Sequence, residues 1–246
     1  WLLPQGLSLR EFFLFVGGIK YWYIKYVCKC ANYSGKCFVY INRKGKRRVT
    51  WKKSKRRGVW KEKILKLRTF TKQKQSLGAG LLIKKYVGEI HSLNKNGKPK
   101  NNDTEFNISH SGKYVVLTKG GTEPVGVDIE LMQRGNKHIA PRFFTLDECV
   151  QIDRSYDPDK TFTQIWTLKE AFLKCIGSGV GKDLKRFTIH IDDEKIRIDN
   201  KINRNFYYFK EYDVSGYKLS VCSEDNRFSE TLEDVTDEIF KLEETK

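Results

Sequence analysis

The stretch from Asp157 to Gly179, DPDKTFTQIWTLKEAFLKCIGSG, predicts the longest helix of the chain. An Asp followed by Pro favours the N-cap and the first helical position, and the closing Gly-Ser-Gly favours the C-terminal end. Inside the helix, Glu170 and Lys174 are four residues apart and therefore lie on one face. An isolated pair of this kind is usually an ordinary surface ion pair, so its meaning depends on the rest of the sequence.

The surrounding pattern predicts an α+β fold. Thr145-Leu146-Asp147-Glu148 has the form of a capping box and predicts the start of a short helix. The stretch Glu62–Tyr86 predicts a helix, with Gly88 near its end, and Leu93–Asp103 predicts a loop. Two strands are predicted at Tyr114–Thr118 and Val125–Glu130. An antiparallel meander is predicted for Phe187–Ile191, Lys195–Ile198, Phe206–Tyr212 and Tyr217–Cys222. Arg68–Thr71 and Lys160–Thr163 resemble each other and each leads into a long helix, which suggests two related halves with an active site between them.

Positive charge is concentrated at the N-terminal end of the chain. The 246 residues carry a net charge of +17, and residues 1–57 contain 15 Lys or Arg against the single acid Glu11. A basic arm of this kind can bind nucleic acid or an anionic surface, and a solvated tail explains it at least as well. Hydrophobic residues at 39% and charged residues at 31% are ordinary for a globular protein.

The cysteines and the apolar runs argue against a secreted or membrane protein. Cys28, Cys30 and Cys37 have no His nearby to complete a zinc site, and Cys149, Cys175 and Cys222 lie in apolar contexts typical of buried free thiols. The first residues lack the features of a signal peptide, and no apolar run is long enough to span a membrane. We therefore expect a cytoplasmic protein.

Two acids lie on one face of a predicted strand. In Gly126–Glu130 the period of two places Asp128 and Glu130 together and the intervening Val127 and Ile129 on the opposite face. Neighbouring carboxylates repel each other unless a cation joins them, and Mg²⁺ prefers oxygen ligands of this kind. Alone, the pattern is more often a solvent-facing strand. Together with Glu170 and a nearby lysine, it has the components that metal-assisted phosphoryl transfer requires.

The segment Phe106–Gly112 contains the triplet Ser109-His110-Ser111, which raises the possibility of a serine hydrolase. The chain has no G-x-S-x-G elbow, and adjacent strand residues point to opposite faces, so Ser109 and His110 are poorly placed as nucleophile and base. His110 and the hydroxyls of Ser109 and Ser111 are better suited to donate hydrogen bonds to phosphate oxygens.

The ordered set of these segments resembles the surfactin-type 4'-phosphopantetheinyl transferases. The residues that carry the resemblance are Phe106–Gly112, Gly126–Glu130, Phe143-Phe144-Thr145 with Glu148, and Trp166–Lys174 followed by Gly177 and Gly179. The resemblance extends from about residue 61 to the C-terminus. It implies two pseudo-twofold-related α+β halves, each a small, mainly antiparallel sheet packed on a long helix, with coenzyme A bound in the cleft between them.

The resemblance also implies an activity, its substrates and their binding residues. A member of this family transfers 4'-phosphopantetheine from coenzyme A to a serine of an acyl or peptidyl carrier protein, with Mg²⁺, and releases adenosine 3',5'-bisphosphate. The positions that match the Mg²⁺-binding acids are Asp128, Glu130 and Glu170, and Glu170 also matches the base. The positions that match coenzyme A contacts are Lys98, Ser109, His110 and Lys174, of which Lys174 matches the lysine on the diphosphate.

This chain departs from the family at two places. Where the family commonly has an arginine for the 3'-phosphate, this sequence has Gln75, and we expect Lys72 or Lys74 to replace the arginine as a point charge. Residues 1–57 do not resemble the family, although Phe38–Ile41 is a candidate for its first strand. We expect transferase halves at 58–124 and 125–246 in a monomer. The alternatives are an inactive relative and a nucleic-acid-binding protein that uses the basic arm.

Overall fold

The computed structural model describes residues 67–133, 136–179, 184–192 and 195–235, together with the backbone of four strands nearer the N-terminus. The rest of the basic segment 1–57 and the side chains of Cys28, Cys30 and Cys37 lie outside what the structure describes. The strands are β1 (Phe13–Val16), β2 (Ile24–Lys29), β3 (Val39–Ile41), β4 (Arg47–Val49), β5 (Ser92–Leu93), β6 (Pro99–Lys100), β7 (Phe106–Ser111), β8 (Tyr114–Lys119), β9 (Val125–Leu131), β10 (Phe187–Asp192), β11 (Lys195–Asn200), β12 (Tyr208–Val214), β13 (Tyr217–Ser223) and β14 (Glu233–Asp234). The helices are α1 (Phe70–Tyr86), α2 (Ala140–Phe143), α3 (Leu146–Arg154) and α4 (Pro158–Ile176).

The strands form two main sheets and three hairpins. The larger sheet has the order β1-β14-β2-β8-β7, and the smaller one has the order β12-β13-β9. The pairings are antiparallel except that of β14 with β2. The predicted α+β class with small, mainly antiparallel sheets and long helices is therefore confirmed. Among the described residues, no helix is both long and apolar enough to cross a membrane.

Helix α1 begins later than the sequence pattern suggested. The side chain of Thr69 accepts a hydrogen bond from the Lys72 amide and so caps the helix at Phe70. The predicted start at Glu62 lies outside the described residues, but residues 67–69 precede the helix. The Thr69 hydroxyl therefore sets the first turn.

Helix α4 confirms the prediction made from its ends. Asp157 accepts a hydrogen bond from the Lys160 amide, Pro158 occupies the first turn, and Gly177 ends the helix at φ +67°. The two similar segments both lie at the N-terminal end of a long helix, but Arg68–Thr71 spans the start of α1 whereas Lys160–Thr163 begins two residues inside α4. The capping box of α3 is formed as predicted, since Glu148 also accepts from the Thr145 amide.

Three predictions about strands need correction. The predicted loop at Leu93–Asp103 contains the β5–β6 hairpin, whose turn is closed by the Asn94 side chain. The predicted meander is two hairpins, β10–β11 and β12–β13, and no backbone pairing joins β11 to β12 in the described part of the chain. The Asn200 side chain accepts two backbone amides after β11 and turns the chain away. Within Phe38–Ile41, β3 pairs locally with β4, and β2 is the strand that pairs with β8.

One hydrophobic core joins the two sheets. Val116 of β8, Ile129 of β9 and Leu219 of β13 belong to the same buried cluster, and each is fully buried. A second cluster packs Leu82 of α1 against Phe106 of β7. The outward faces of β7 and β9 are thus fixed relative to each other by apolar packing behind them.

Helix α4 lies directly on β9 because residue 126 is glycine. A Cβ atom at Gly126 would collide with the Ala171 carbonyl oxygen and the Cys175 amide of the helix. On its other side, Phe172 packs against Phe187 and Tyr207 with ring centroids 4.7 and 4.8 Å away. The close approach brings the polar side chains of α4 onto the strand that carries Asp128.

Candidate active site

The two main sheets meet along β7 and β9, which are the end strands of their sheets. The contact is made by side chains rather than by a backbone ladder. Asn107 accepts the Val127 amide at 3.1 Å, and the Ser109 hydroxyl donates to Asp128 Oδ1 at 2.8 Å. Alternate residues of β7 therefore face β9, as the period of two requires.

Ser111 makes the third contact of this seam. Its hydroxyl donates to Glu130 Oε2 at 2.8 Å and accepts the Leu131 amide at 3.1 Å. The sequence predicted that the Ser111 hydroxyl donates to phosphate oxygens, and it indicated no role for Asn107. Their spacing of two residues from Ser109 was the signal that could have identified them, because all three share one strand face.

Lys174 forms an ion pair with Asp128 and not with Glu170, its helical neighbour. Its Nζ atom lies 2.5 Å from Asp128 Oδ1 and also donates to Ser109 Oγ at 2.9 Å and the Val127 carbonyl at 3.2 Å. The surface ion pair between Glu170 and Lys174, which their spacing of four residues made possible, is therefore not formed. The structure brings Ser109, Asp128 and Lys174 into one hydrogen-bonded cluster at the seam.

Glu170 lies beside this cluster and is 3% exposed. Burial, together with the negative charges of Asp128 and Glu130, raises its pKa from 4.5 to about 7, although Lys174 opposes the change. Its Oε1 atom is buried without a hydrogen-bond partner. The group is therefore able to take up a proton near neutral pH.

Glu130 has a similar but milder environment. Burial and the charge of Asp128 raise its pKa, and the hydrogen bond from Ser111 partly offsets this effect. For both acids, burial is the main cause of the raised pKa, and the negative charge of Asp128 adds to it.

The carboxylates of Asp128, Glu130 and Glu170 are chemically suited to bind a divalent cation, but they do not form a preorganised metal site. Asp128 Oδ2 and Glu170 Oε1 are buried oxygens without a hydrogen-bond partner, and Mg²⁺ commonly takes one or two carboxylates together with water and substrate phosphate. Across the described residues, however, no group of three or more His, Cys, Asp or Glu side chains could hold a metal ion. The expected convergence of Asp128, Glu130 and Glu170 on one cation is thus not preformed.

The remaining sequence-predicted contacts occupy different parts of the seam. His110 is exposed on the face of β7 opposite to Ser109. Partial burial and the positive charges of Lys174 and Lys72 lower the pKa of the His110 ring. Lys72 is thus within electrostatic reach of this end of the site, whereas Lys74 lies half-buried on α1. Lys72 is the better candidate for the point charge.

Gln75 has a structural partner. Its side chain is 6% exposed and donates from Nε2 to the Gly112 carbonyl at 2.9 Å. It therefore fastens α1 to the turn between β7 and β8.

Lys98 belongs to the β5–β6 turn, and its ammonium group reaches the beginning of β9, away from the Asp128 cluster. Its Nζ atom contacts the Val125 carbonyl and Glu105, both at 3.3 Å. In the same turn, Asn96 donates to the Gly177 carbonyl at 2.7 Å. The β5–β6 turn therefore connects the end of α4 with the start of β9.

A fully buried ion pair fixes the helix behind Glu170. Lys169 Nζ contacts Glu148 Oε1 at 2.5 Å and the Phe187 carbonyl at 2.7 Å, while Glu148 also accepts the Ile189 amide at 2.8 Å. Burial lowers the pKa of Lys169 to about 8 against the opposing charge of Glu148. The sequence motifs included Lys169 and Glu148 but did not predict that they pair. The one sign in the sequence was a lysine among apolar residues.

Known proteins resemble this chain in the same region. The family model described as the 4'-phosphopantetheinyl transferase superfamily matches residues 124–222, which include Asp128, Glu130, Glu170 and Lys174. A 4'-phosphopantetheinyl transferase of Bacillus subtilis is 33% identical over 53% of this chain and 60% of its own length. A second, 4'-phosphopantetheinyl transferase ffp of Bacillus subtilis, is 30% identical over 64% of this chain and 77% of its own length.

Solved structures add only a weak likeness. The Thermotoga maritima holo-[acyl-carrier-protein] synthase superposes with a TM-score of 0.37 at 16% identity, over 42% of this chain and 64% of that chain. A likeness at that level says nothing further about this protein.

Proposed function

We propose that this chain, which belongs to the surfactin-type 4'-phosphopantetheinyl transferase family, transfers 4'-phosphopantetheine from coenzyme A to a serine of an acyl or peptidyl carrier protein. Adenosine 3',5'-bisphosphate is the second product. The observation that carries the proposal is the cluster of Ser109, Asp128 and Lys174 beside the buried carboxylate of Glu170.

Glu170 acts as the general base in this proposal. The serine hydroxyl attacks the phosphorus atom that bears the pantetheine arm, the bond from that phosphorus to the departing nucleotide breaks, and the hydroxyl proton passes to Glu170. Without a bound cation, a pKa of about 7 leaves Glu170 half ionised at neutral pH, and a cation beside it would favour the ionised form that accepts the proton.

Lys174 supplies the positive charge for the diphosphate. Its ammonium group already contacts Ser109 and Asp128, so its position is fixed before a substrate arrives. Preorganised charge of this kind stabilises the negative charge that develops on the departing phosphate.

Mg²⁺ is part of the proposal, and its ligands would be the free oxygens of Asp128 and Glu170, with Glu130 as a third acid. When bound, the ion would neutralise the diphosphate. The two unpartnered buried oxygens support this assignment.

Coenzyme A would lie in a cleft between two pseudo-twofold-related halves, 58–124 and 125–246, and the place where β7 faces β9 would be the boundary between them. His110 and Lys72 would bind its phosphates at one end, and Lys98 would contact it at the other. The exposure of His110 and its proximity to two cations support the first of these contacts.

The wider assignments follow from the same family membership. The partner would be a carrier protein that is acidic around its serine, and a monomeric state and a cytoplasmic location belong to the proposal. The basic segment 1–57 keeps open a second function in nucleic-acid binding, which would be strongly salt-dependent.

A transfer assay tests the proposal. The full chain is incubated with coenzyme A, Mg²⁺ and an apo carrier protein, and the carrier is weighed by mass spectrometry. We expect a gain of one phosphopantetheine arm, lost with a chelator and in Asp128→Asn. No gain with any apo carrier, acyl or peptidyl, would identify an inactive relative. Duplex binding that is lost when residues 1–57 are removed would favour the nucleic-acid function.

A further inference from the structure

The ammonium group of Lys174 is surrounded by three acceptors. Asp128 Oδ1 lies 2.5 Å from Nζ, Ser109 Oγ lies at 2.9 Å and the Val127 carbonyl oxygen at 3.2 Å. An ammonium group has three hydrogens to donate and accepts no hydrogen bond. The position of Lys174 is therefore fixed, but each of its hydrogens already has an acceptor.

Asp128 is the charged member of these three acceptors. The Val127 carbonyl belongs to the buried backbone of β9, and the Ser109 oxygen is neutral and donates its own hydrogen to Asp128 Oδ1. Hydrogen bonds between charged groups are about twice as strong as those between neutral groups. A phosphate oxygen is also an anionic acceptor, so it competes with Asp128 for the same positive charge.

The ion pair is accessible from the side of Lys174. The Lys174 side chain is 19% exposed, whereas the Asp128 side chain is 5% exposed and its Oδ2 atom has no hydrogen-bond partner. If Lys174 turned to a ligand, Asp128 would keep the Ser109 hydroxyl as its donor and lose its counter-charge. A buried carboxylate without a counter-charge is costly, so the exchange of partners opposes ligand binding.

We infer that Asp128 is an internal competitor at the phosphate site of Lys174, because its Oδ1 atom holds the hydrogen bond that an anionic oxygen of coenzyme A must take over. This inference rests on the proposed function, which assigns the diphosphate to Lys174. It predicts that neutralising Asp128 tightens the binding of coenzyme A in the variant that is expected to lose transfer.

Calorimetric titration of coenzyme A into the full chain, in buffer that contains a chelator, tests the inference. Asparagine has the shape of aspartate without its charge, so Asp128→Asn keeps the packing and releases the charge of Lys174. We expect Asp128→Asn to bind coenzyme A at least about tenfold more tightly than the wild type, since close charge pairs couple by that factor or more. Asp147→Asn, at an exposed position of α3, is the matched control and should bind within about twofold of the wild type, because salt screens an exposed charge.

The gain in affinity must depend on Lys174. In a Lys174→Met background, Asp128→Asn should change the affinity by less than about threefold, because no lysine is released. A gain of the same size without Lys174 would indicate general charge repulsion and overturn the inference. If Asp128→Asn does not fold, Asp128→Ser takes its place with the same expected gain, because it is also uncharged and its hydroxyl can accept from Ser109.

A purely structural role for Asp128 predicts a different result. Coenzyme A would then bind to Asp128→Asn with unchanged or lower affinity, and either result would overturn the inference. Absence of measurable binding to the wild type and the variant alike would overturn it equally.

The same proteins separate this inference from the proposed function. Tighter binding by Asp128→Asn, together with a wild type that transfers nothing to an apo carrier, contradicts the function and leaves the competition by Asp128 standing. A wild type that transfers, together with an Asp128→Asn variant that binds no more tightly, contradicts the competition alone.

Discussion

Replacing Glu170 by Gln should stabilise the protein at pH 8. Because burial and the neighbouring acids raise the Glu170 pKa from 4.5 to about 7, the folded protein keeps a proton that the unfolded chain releases between these values. The free energy of unfolding therefore falls as the pH rises through this window and stays lower above it. At about 1.4 kcal/mol for each pH unit, the ionised carboxylate costs about 3 kcal/mol at pH 8.

Glutamine removes this cost, because it has the same shape and no charge. For a chain of this size, about 3 kcal/mol corresponds to a melting temperature about 6–12 °C higher. Circular dichroism melts at pH 8 and pH 5 measure the effect, which should be small at pH 5, where the folded wild type is protonated. Added Mg²⁺ should raise the melting temperature of the wild type more than that of the variant.

An exposed Glu→Gln change provides the control for this comparison. Glu123→Gln lies on the surface and should leave the melting temperature unchanged at both pH values. Equal melting temperatures for Glu170→Gln and the wild type at pH 8 would refute the reasoning, since the carboxylate would then bear no penalty for its burial.

Three further substitutions test the packing and charges around the site. Lys169→Met should lower the free energy of unfolding in urea by about 3–5 kcal/mol because it leaves Glu148 charged and buried, and a loss under about 1 kcal/mol would contradict a buried ion pair. Gly126→Ala should cost about 1–3 kcal/mol or more, because its methyl group meets the backbone of α4, and unchanged melting would mean that the helix sits farther from β9. Lys174→Met should slow carrier modification roughly 100-fold, and a wild-type rate would exclude Lys174 from the diphosphate site.

Local signals in the sequence were sufficient for the elements that begin and end at side-chain caps. Asp157 and Gly177 define α4, and Thr145 defines α3, because each cap depends on residues within four positions. The alternation of Asp128 and Glu130 likewise depends only on strand geometry. These predictions needed no knowledge of the tertiary structure.

Partners far apart in sequence could not be predicted in this way. Lys174 lies one helical turn from Glu170 but forms its ion pair with Asp128. The reason is that α4 packs closely on β9 at Gly126, which brings Lys174 next to Asp128. The pairing of β13 with β9 is equally non-local, so the four strands from Phe187 onward looked like one meander. The spacing of Ser111 from Ser109 places both on one strand face, but the hydrogen bond from Ser111 to Glu130 also requires that β7 faces β9, which is a tertiary contact.

The central claim is that Glu170 accepts the serine proton in a site held by Asp128 and Lys174. Single-turnover transfer by Glu170→Gln at saturating coenzyme A, read as the mass of the carrier, tests it most directly. We predict a rate at least about 100-fold below that of the wild type. Coenzyme A binding, measured by calorimetry, should persist. Transfer by Glu170→Gln at the wild-type rate would contradict the claim.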